Sequence, residues 1–346
     1  MKEVVPISFQ DALLSKSVEF LQQESMQCLI TQEAIPELIS QLLYYKEEGK
    51  SLYPDIYIFD DIEFVRRIIS YSQFCFIGKG AKSKETMLKA LKKCAPLTEN
   101  GWSIYIHRKQ DEYDYGVFKG SNSLISPTVA ETLVEQNIEG LNIILIHQIA
   151  DKLIEVKGVR ANSLIISYGN KASSKTSPLD IQFEFIKSIT SKVSPELIEQ
   201  TNNFFRRLFI EVLRKGHGTL SCVIKSEKPT PKRLSDGISL KEKIDIPRMI
   251  WELSQNDDLA NNSQLEGQFS LILGMMQSDG ITIFTDRGEI ASYNVFIKHT
   301  KEITKTNTSG GARSRTFLTL SKFIGSGLEA AYIQSQDGKI ECKNGK

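Results

Sequence analysis

The sequence predicts an α/β chain of two domains, on three observations. At 346 residues the chain is longer than a typical single domain of about 100 to 200 residues. Segments with apolar residues three and four apart, the period of a helix face, are interleaved with short β-branched and aromatic runs bounded by turn residues. A long amphipathic stretch at 194–216 then separates a first set of these elements from a second. Residues 1–192 are expected to form one domain, α+β or α/β, and residues 193–346 another that includes the 194–216 helix.

In the first domain, residues 11–46 read as helical, with Leu14, Val18, Leu21, then Ile35, Leu38, Ile39 and Leu42 largely at spacings of three and four. Strands are expected at 56–59 and 74–77. Residues 105–107 and 115–118 should form a hairpin about the polar tip Gln110-Asp111-Glu112, with further strands at 141–146, 164–168 and 181–186. The stretch 76–83 runs from a strand into a helix beginning near Glu85, as a phosphate loop does, but lacks that motif's Gly-x-x-x-x-Gly-Lys spacing. It reads as a basic loop and helix entry. The three carboxylates within 110–116 read as a solvated hairpin tip. With no catalytic signature, this half is expected to be a sensor-like regulatory domain.

The connecting helix has a clear start. Ser194 is a natural N-cap and Pro195 suits the first helical position, since its missing N–H has no intrahelical partner to lose. Leu197, Ile198, Phe204, Phe205, Leu208, Val212 and Leu213 form one broad apolar face that ends at Gly216. Beyond it, 225–233 is a basic surface loop and 270–276 is largely apolar. Residues 281–284 alternate as a strand, Asp286-Arg287-Gly288 has turn chemistry, and 290–297 is the return strand. Asp279 sits where one segment stops and a strand begins. Gly280, without a side chain, permits close backbone approach.

The candidate chemistry lies at Asp279 and in the glycine-arginine run 309–315. Thr308, Ser309, Gly310 and Gly311 form a loop, and from Arg313 the residues Phe317, Leu318, Leu320 and Phe323 read as a helix to Gly325. A glycine-rich loop entering a helix turns free N–H groups toward an anion, and the helix dipole adds positive potential. Arg313 and Arg315 can add bidentate bonds to phosphate oxygens. The alternative is that Gly-Gly is a plain loop and both arginines are surface charge.

Residues 196–341 resemble the diadenylate cyclase domain found in DNA-integrity scanning proteins and in membrane-bound cyclases that make cyclic di-AMP. Residues 218–224 are similar to that family's first core strand after a long helix. Ser278-Asp279-Gly280-Ile281 is similar to its Asp-Gly-Ala motif, Ser292-Tyr293-Asn294-Val295 to its Ala-Asn-Val strand, and Gly311-Ala312-Arg313-Ser314-Arg315 to its Gly-Thr-Arg-His-Arg motif. Ser321 has the spacing of a phosphate-contacting serine, and residues 331–340, with Ser335-Gln336-Asp337-Gly338, match the closing strand and turn.

The resemblance implies a mixed sheet flanked by helices, binding one ATP per domain. Two domains then face each other in a homo-dimer or higher oligomer, so that the 3′-hydroxyl of each ATP attacks the α-phosphate of the other. On that implication Asp279 holds Mg2+ or Mn2+ and orients or activates the attacking hydroxyl, while Arg313 and Arg315 hold the triphosphate and stabilise charge as pyrophosphate leaves, a task of positioning and electrostatics. Gly280 and Ile281 lie against the nucleoside. Gly310, Gly311, Ala312, Ser314, Thr316 and Ser321 complete the nucleotide contacts. The chain departs from the pattern at Ile281, Ala312 and Ser314. The last of these replaces an imidazole that can carry charge with a single hydroxyl. On the oxyanion-hole scale of roughly 3 kcal/mol per donor, that loss lowers turnover by one to three orders of magnitude. An active cyclase and a catalytically weak nucleotide or cyclic-dinucleotide receptor both fit, and an interaction protein with a vestigial fold is a third class.

Net charge is +1, which provides no broad electrostatic footprint for duplex DNA. The chain stops at Lys346, soon after the last matched strand, so no DNA-binding region of the scanning-protein type is expected. The longest apolar runs fall far short of the roughly 20 residues that span a bilayer. The N-terminus lacks the apolar core of a signal peptide. The five cysteines are scattered without metal spacing, as expected of a reducing cytoplasm. The four histidines, His107, His147, His217 and His299, are expected to be structural, having no clustered ligands beside them.

Overall fold

The computed structural model describes residues 9–136, 138–150, 152–160, 162–167, 177–234, 236–256, 259–297, 311–335 and 340–345. The chain divides into two compact units, one of Met1–Asn122 with Pro127–Lys175 and the other of Ser123–Ser126 with Thr176–Lys346. Each is a mixed β-sheet flanked by helices, the α/β class expected. No helix among the described residues is long and apolar enough to cross a membrane.

The first unit opens with helices α1 (Phe9–Gln23) and α2 (Leu29–Leu42) and a small ladder of β1 (Lys46–Glu47) with β2 (Lys50–Ser51). There follow β3 (Asp55–Phe59), α3 (Ile62–Ile68), β4 (Gln73–Ala81), α4 (Lys84–Cys94), β5 (Ser103–Arg108), β6 (Glu112–Lys119), β7 (Ile143–Ala150), β8 (Leu153–Gly158) and β9 (Ser163–Ser167). The sheet order is β4-β6-β5-β3-β7-β8-β9, with β3 and β5 parallel and the other pairings antiparallel. Period-two alternation divides the core. Ile56, Ile58, Ile104 and Ile106 face Leu38, Met87 and Leu91 of the helices, while Tyr57, Phe59 and Tyr105 pack on the opposite side with Val65 and Leu145.

The second unit begins with α5 (Pro178–Ile189) and α6 (Pro195–Arg214). Then come β10 (Thr219–Ile224), β11 (Asp236–Asp245), α7 (Ile246–Gln255), α8 (Leu259–Gln277), β12 (Ile281–Thr285), β13 (Glu289–Phe296), α9 (Ala312–Ser321), β14 (Leu328–Gln334) and β15 (Ile340–Asn344). The sheet order is β11-β13-β12-β10-β14-β15, with β10 and β12 parallel and the rest antiparallel. On one face Phe317 and Leu320 of α9 cover Leu220, Cys222, Ile281, Ile283 and Val295. On the other, Phe185, Phe205 and Phe209 interlock edge-on or tilted with Phe284 and Tyr332 of the strands. Such ring pairs add about 0.5–1.5 kcal/mol beyond the burial of their area.

Two expectations are corrected. Residues 181–186 are not a strand but lie in α5, whose buried residues Pro178, Gln182, Phe185, Ile186 and Ile189 follow the helical period. Ser177 starts this helix by accepting a hydrogen bond from Leu179 N, and Pro178 occupies its first turn. The division between units accordingly falls between Lys175 and Thr176 rather than at 192, because Phe185 of α5 packs edge-on or tilted against Phe209, Phe284 and Tyr332 of the second unit. Strand β8, absent from the sequence expectation, pairs with both β7 and β9. The connecting helix starts at Pro195 as expected, although Ser194 makes no side-chain cap bond. The helix expected at 313–325 runs from Ala312 to Ser321. Of the strand expected at 164–168, Tyr168 lies outside the described residues, as does the turn 336–339.

Candidate functional site

The site is assembled by the order of the strands. Because β10 and β12 are parallel, with Leu220 opposite Ile281, their first residues start side by side. The antiparallel neighbours β13 and β14 end at the same edge, Val295 opposite Ile281 and Gln334 opposite Thr219. This edge therefore gathers Gly218, Asp279, Gly280, Asn294 and Gln334. Anchored by Phe317 and Leu320, α9 brings its first turn there, and Arg313 Nη2 lies 3.4 Å from Asp279 Oδ1. The Asp279 side chain is 84% exposed and that of Arg313 31% exposed. An ion pair this open contributes at most about 1 kcal/mol, so a stronger anion can displace the carboxylate from the guanidinium.

Two glycines set the close contacts. Gly280 has φ +88°, and a Cβ there would fall 2.8 Å from the carbonyl carbon of Asn294 and 2.9 Å from Val295 N. The turn into β12 thus lies directly on β13. Asn294 itself is left-handed at φ 52°, a conformation that asparagine tolerates better than most residues. Its Oδ1 is buried without a hydrogen-bond partner among the described residues. At Gly218 an added Cβ would fall 2.7 Å from Arg313 Nη1 and 3.1 Å from Gln334 O.

The remaining expected residues are distributed unevenly. Gly311 is the N-cap of α9, with Ala312 exposed and Ser314 half-buried behind it. Arg313 and Arg315 are two positions apart on a helix, about 200° around its axis, so they project from different faces. Arg315 is exposed. Thr316 Oγ1 donates to Ala312 O at 3.0 Å, and Ser321 Oγ donates to Phe317 O at 2.8 Å. Ser321 closes α9, about 13 Å along the axis from Ala312 at the usual rise per residue. Ile281, expected against a nucleoside, is instead 1% exposed in the core with Leu220, Val295 and Phe317. Gly310, Thr308 and Ser309 lie outside the described residues. The structure therefore brings together Asp279, Gly280 and Arg313, supports them with Ile281 from beneath, and places Arg315 and Ser321 elsewhere on α9.

No group of three or more His, Cys, Asp or Glu suited to a metal occurs among the described residues. Asp279 offers a single open carboxylate. That donor set fits Mg2+ or Mn2+ arriving with a nucleotide, because magnesium is commonly held through one or two carboxylates with phosphates and water completing its shell.

The other sequence features take structural places. The segment at 76–83 is the end of β4 and the entry to α4, where Ser83 Oγ accepts from Thr86 N and Lys82 Nζ donates to Lys109 O and Gln110 O. His107 Nε2 is 3.1 Å from Asp60 O, and the buried His147 bonds Glu155. His299 lies outside the described residues. The five cysteines are free thiols, and burial pushes those of Cys94 and Cys222 up to about 12.

Gly218, Asn294 and Gln334 were not among the site residues expected from sequence. Gly218 and Asn294 fall inside matched blocks, where their glycine and asparagine identities were a usable signal. Gln334 also falls inside a matched block, 331–340, but its position beside Thr219 follows only from strand pairing. Comparison with protein-family models, with curated proteins and with solved structures gave no match to this chain.

Proposed function

We propose that the second unit binds ATP at the Asp279–Arg313 edge and condenses two ATP molecules into cyclic di-AMP and two pyrophosphates, in the cytoplasm, as a homo-dimer or higher oligomer. The observation that supports this reading most is the meeting of an open carboxylate and a guanidinium at 3.4 Å, beside a glycine turn too tight for any Cβ. In this reading Arg313 leaves Asp279 for the phosphates and stabilises the negative charge that grows on the departing pyrophosphate. Asp279, released, accepts a hydrogen bond from the ribose 3′-hydroxyl and orients it. Each 3′-hydroxyl gives its proton to the Asp279 carboxylate as its oxygen bonds to the α-phosphorus of the facing nucleotide, and that phosphorus loses its bond to the pyrophosphate oxygen. A divalent ion held by Asp279 and the phosphates would supply charge neutralisation at the reacting phosphate. The N-terminal unit regulates the reaction.

A second reading is a receptor that binds a nucleotide or cyclic dinucleotide without turnover. Its support is the placement of Arg315 on a different face of α9 from Arg313 and the hydroxyl of Ser314 in place of an imidazole. Purified protein incubated with ATP and Mg2+ or Mn2+, with products read by mass spectrometry, separates the two. Cyclic di-AMP that vanishes in Asp279→Asn and rises in Ser314→His supports the cyclase. ATP binding without product moves the assignment to the receptor.

A further inference from the structure

A chain of buried polar side chains runs through the second unit to the point where Arg313 rests. Gln182 Nε2, on α5, donates to Phe209 O at 3.0 Å and to Tyr332 Oη at 3.1 Å. Tyr332 Oη donates to Gln334 Oε1 at 3.3 Å. Gln334 Nε2 donates to Val212 O at 3.0 Å and His217 O at 3.2 Å, tying the C-terminal turn of α6 and the residue before Gly218 to β14. Gln182, Tyr332 and Gln334 are each no more than 2% exposed. A polar chain buried this deeply holds one geometry, because breaking any link strands a donor or acceptor away from water at about 1–3 kcal/mol.

What this chain holds is Gly218, and Gly218 is where the Arg313 guanidinium lies. The 2.7 Å clearance to Nη1 leaves no room for a methyl group, and Gln334 O limits the space at 3.1 Å. Arg313 comes from α9 on the opposite face of the sheet from Phe209 and Tyr332, and its guanidinium lies between Asp279 Oδ1, 3.4 Å from Nη2, and the backbone of Gly218.

We infer that Gly218 is the seat of Arg313, that Gln334 fixes that seat, and that both are positioning residues for phosphate binding at the proposed nucleotide site. The inference rests on that reading of the site only for the ligand. The seat itself is a property of the protein alone.

The test uses two readouts on the full chain. The first is phenylglyoxal labelling of Arg313 without nucleotide, followed by peptide mass spectrometry, in the native protein, Gly218→Ala and Gln334→Leu. The second is ATP affinity by calorimetry in the same proteins, with Arg313→Ala and the Gly218→Ala/Arg313→Ala double variant added. Gly218→Ala should fold normally, since the atom it displaces most is the end of a flexible side chain. Its labelling rate should rise several-fold, and ATP binding should weaken on the order of 10-fold, as expected for loss of one charged hydrogen bond. In the Arg313→Ala background Gly218→Ala should change affinity less than about 2-fold, because a residue acting only through Arg313 has no further effect once Arg313 is gone. Gln334→Leu, which removes the donor to His217 O, should raise Arg313 labelling and weaken ATP binding in the same direction as Gly218→Ala. An unchanged labelling rate in Gly218→Ala overturns the seat, whatever the binding result. Raised labelling with no ATP binding by the native protein upholds the seat and overturns the nucleotide reading.

Discussion

Replacing His147 by leucine should destabilise the first unit and alter the way it responds to acid. Glu155 is 1% exposed, yet its carboxyl is charged. Burial alone pushes it up, but the hydrogen bond and charge of His147, donation from Ser163 and the charge of Lys157 outweigh burial and hold it down at about 2. The partners are close: His147 Nε2 is 3.0 Å from Oε2, and Ser163 Oγ donates to Oε1 at 2.7 Å. A carboxyl held at about 2 against its ordinary 4.5 corresponds to about 3 kcal/mol of folding stability. The sign follows from the depression. The stabilisation is fully present above the ordinary carboxyl value and is lost as the pH falls from about 4.5 toward about 2. Taking away His147 leaves a buried carboxylate short of its main partner, at a cost of about 3–5 kcal/mol near neutral pH. The acid-dependent loss between those two values should also flatten, because Glu155 is no longer held below its ordinary range. Trp102 packs on the core of this unit and Trp251 is an exposed residue of the other. Urea unfolding followed by Trp102 fluorescence in a Trp251→Phe background therefore reads the first unit alone. Replacing both partners, His147→Leu with Glu155→Leu, should recover part of the loss. A cost under about 1 kcal/mol for His147→Leu, or an acid response identical to the native protein's, would refute this account of the pair.

Two further outcomes are expected from the second unit. Gly280→Ala should lower stability by about 1–3 kcal/mol and reduce ATP binding, because its φ of +88° is strained for alanine and its Cβ would meet Asn294 backbone rather than a yielding side chain; a melting temperature equal to the native one counts against that tight turn. Ser221 is fully buried and its Oγ has no hydrogen-bond partner among the described residues, so Ser221→Ala should be neutral or stabilising by up to about 1 kcal/mol. A clear loss in thermal unfolding would mean that the hydroxyl has a partner.

The local pattern of residues determined much of this fold. Ser194 and Pro195 open α6, and its apolar stripe from Phe204 to Leu213 is buried as the helical period requires. The alternation Ile56, Tyr57, Ile58, Phe59 makes a strand buried on both faces. Where two periods coexist, sequence alone does not choose. In Ile181-Gln182-Phe183-Glu184-Phe185 apolar and polar residues alternate as in a strand, while Gln182, Phe185, Ile186 and Ile189 share a helix face. Packing of Phe185 on Phe209, Phe284 and Tyr332 is what favours the helix.

The candidate site divides along the same line. Asp279, Gly280 and Arg313 were recognisable because a carboxylate at a glycine turn and an arginine at a helix start have chemistry that their own identities carry. The meeting of Asp279 with Arg313 was not, for they are 34 positions apart in the chain and only the parallel pairing of β10 with β12, with α9 laid across it, brings them to one edge. The same pairing decided that Ile281 is core, that Ser321 is remote from Arg313, and that Gly218 lies under a guanidinium far from it in sequence. Side-chain chemistry and local periodicity are properties of short stretches and can be read from them. Which stretches become neighbours depends on the sum of many weak contacts across the whole sheet, and that sum exists only in the folded chain.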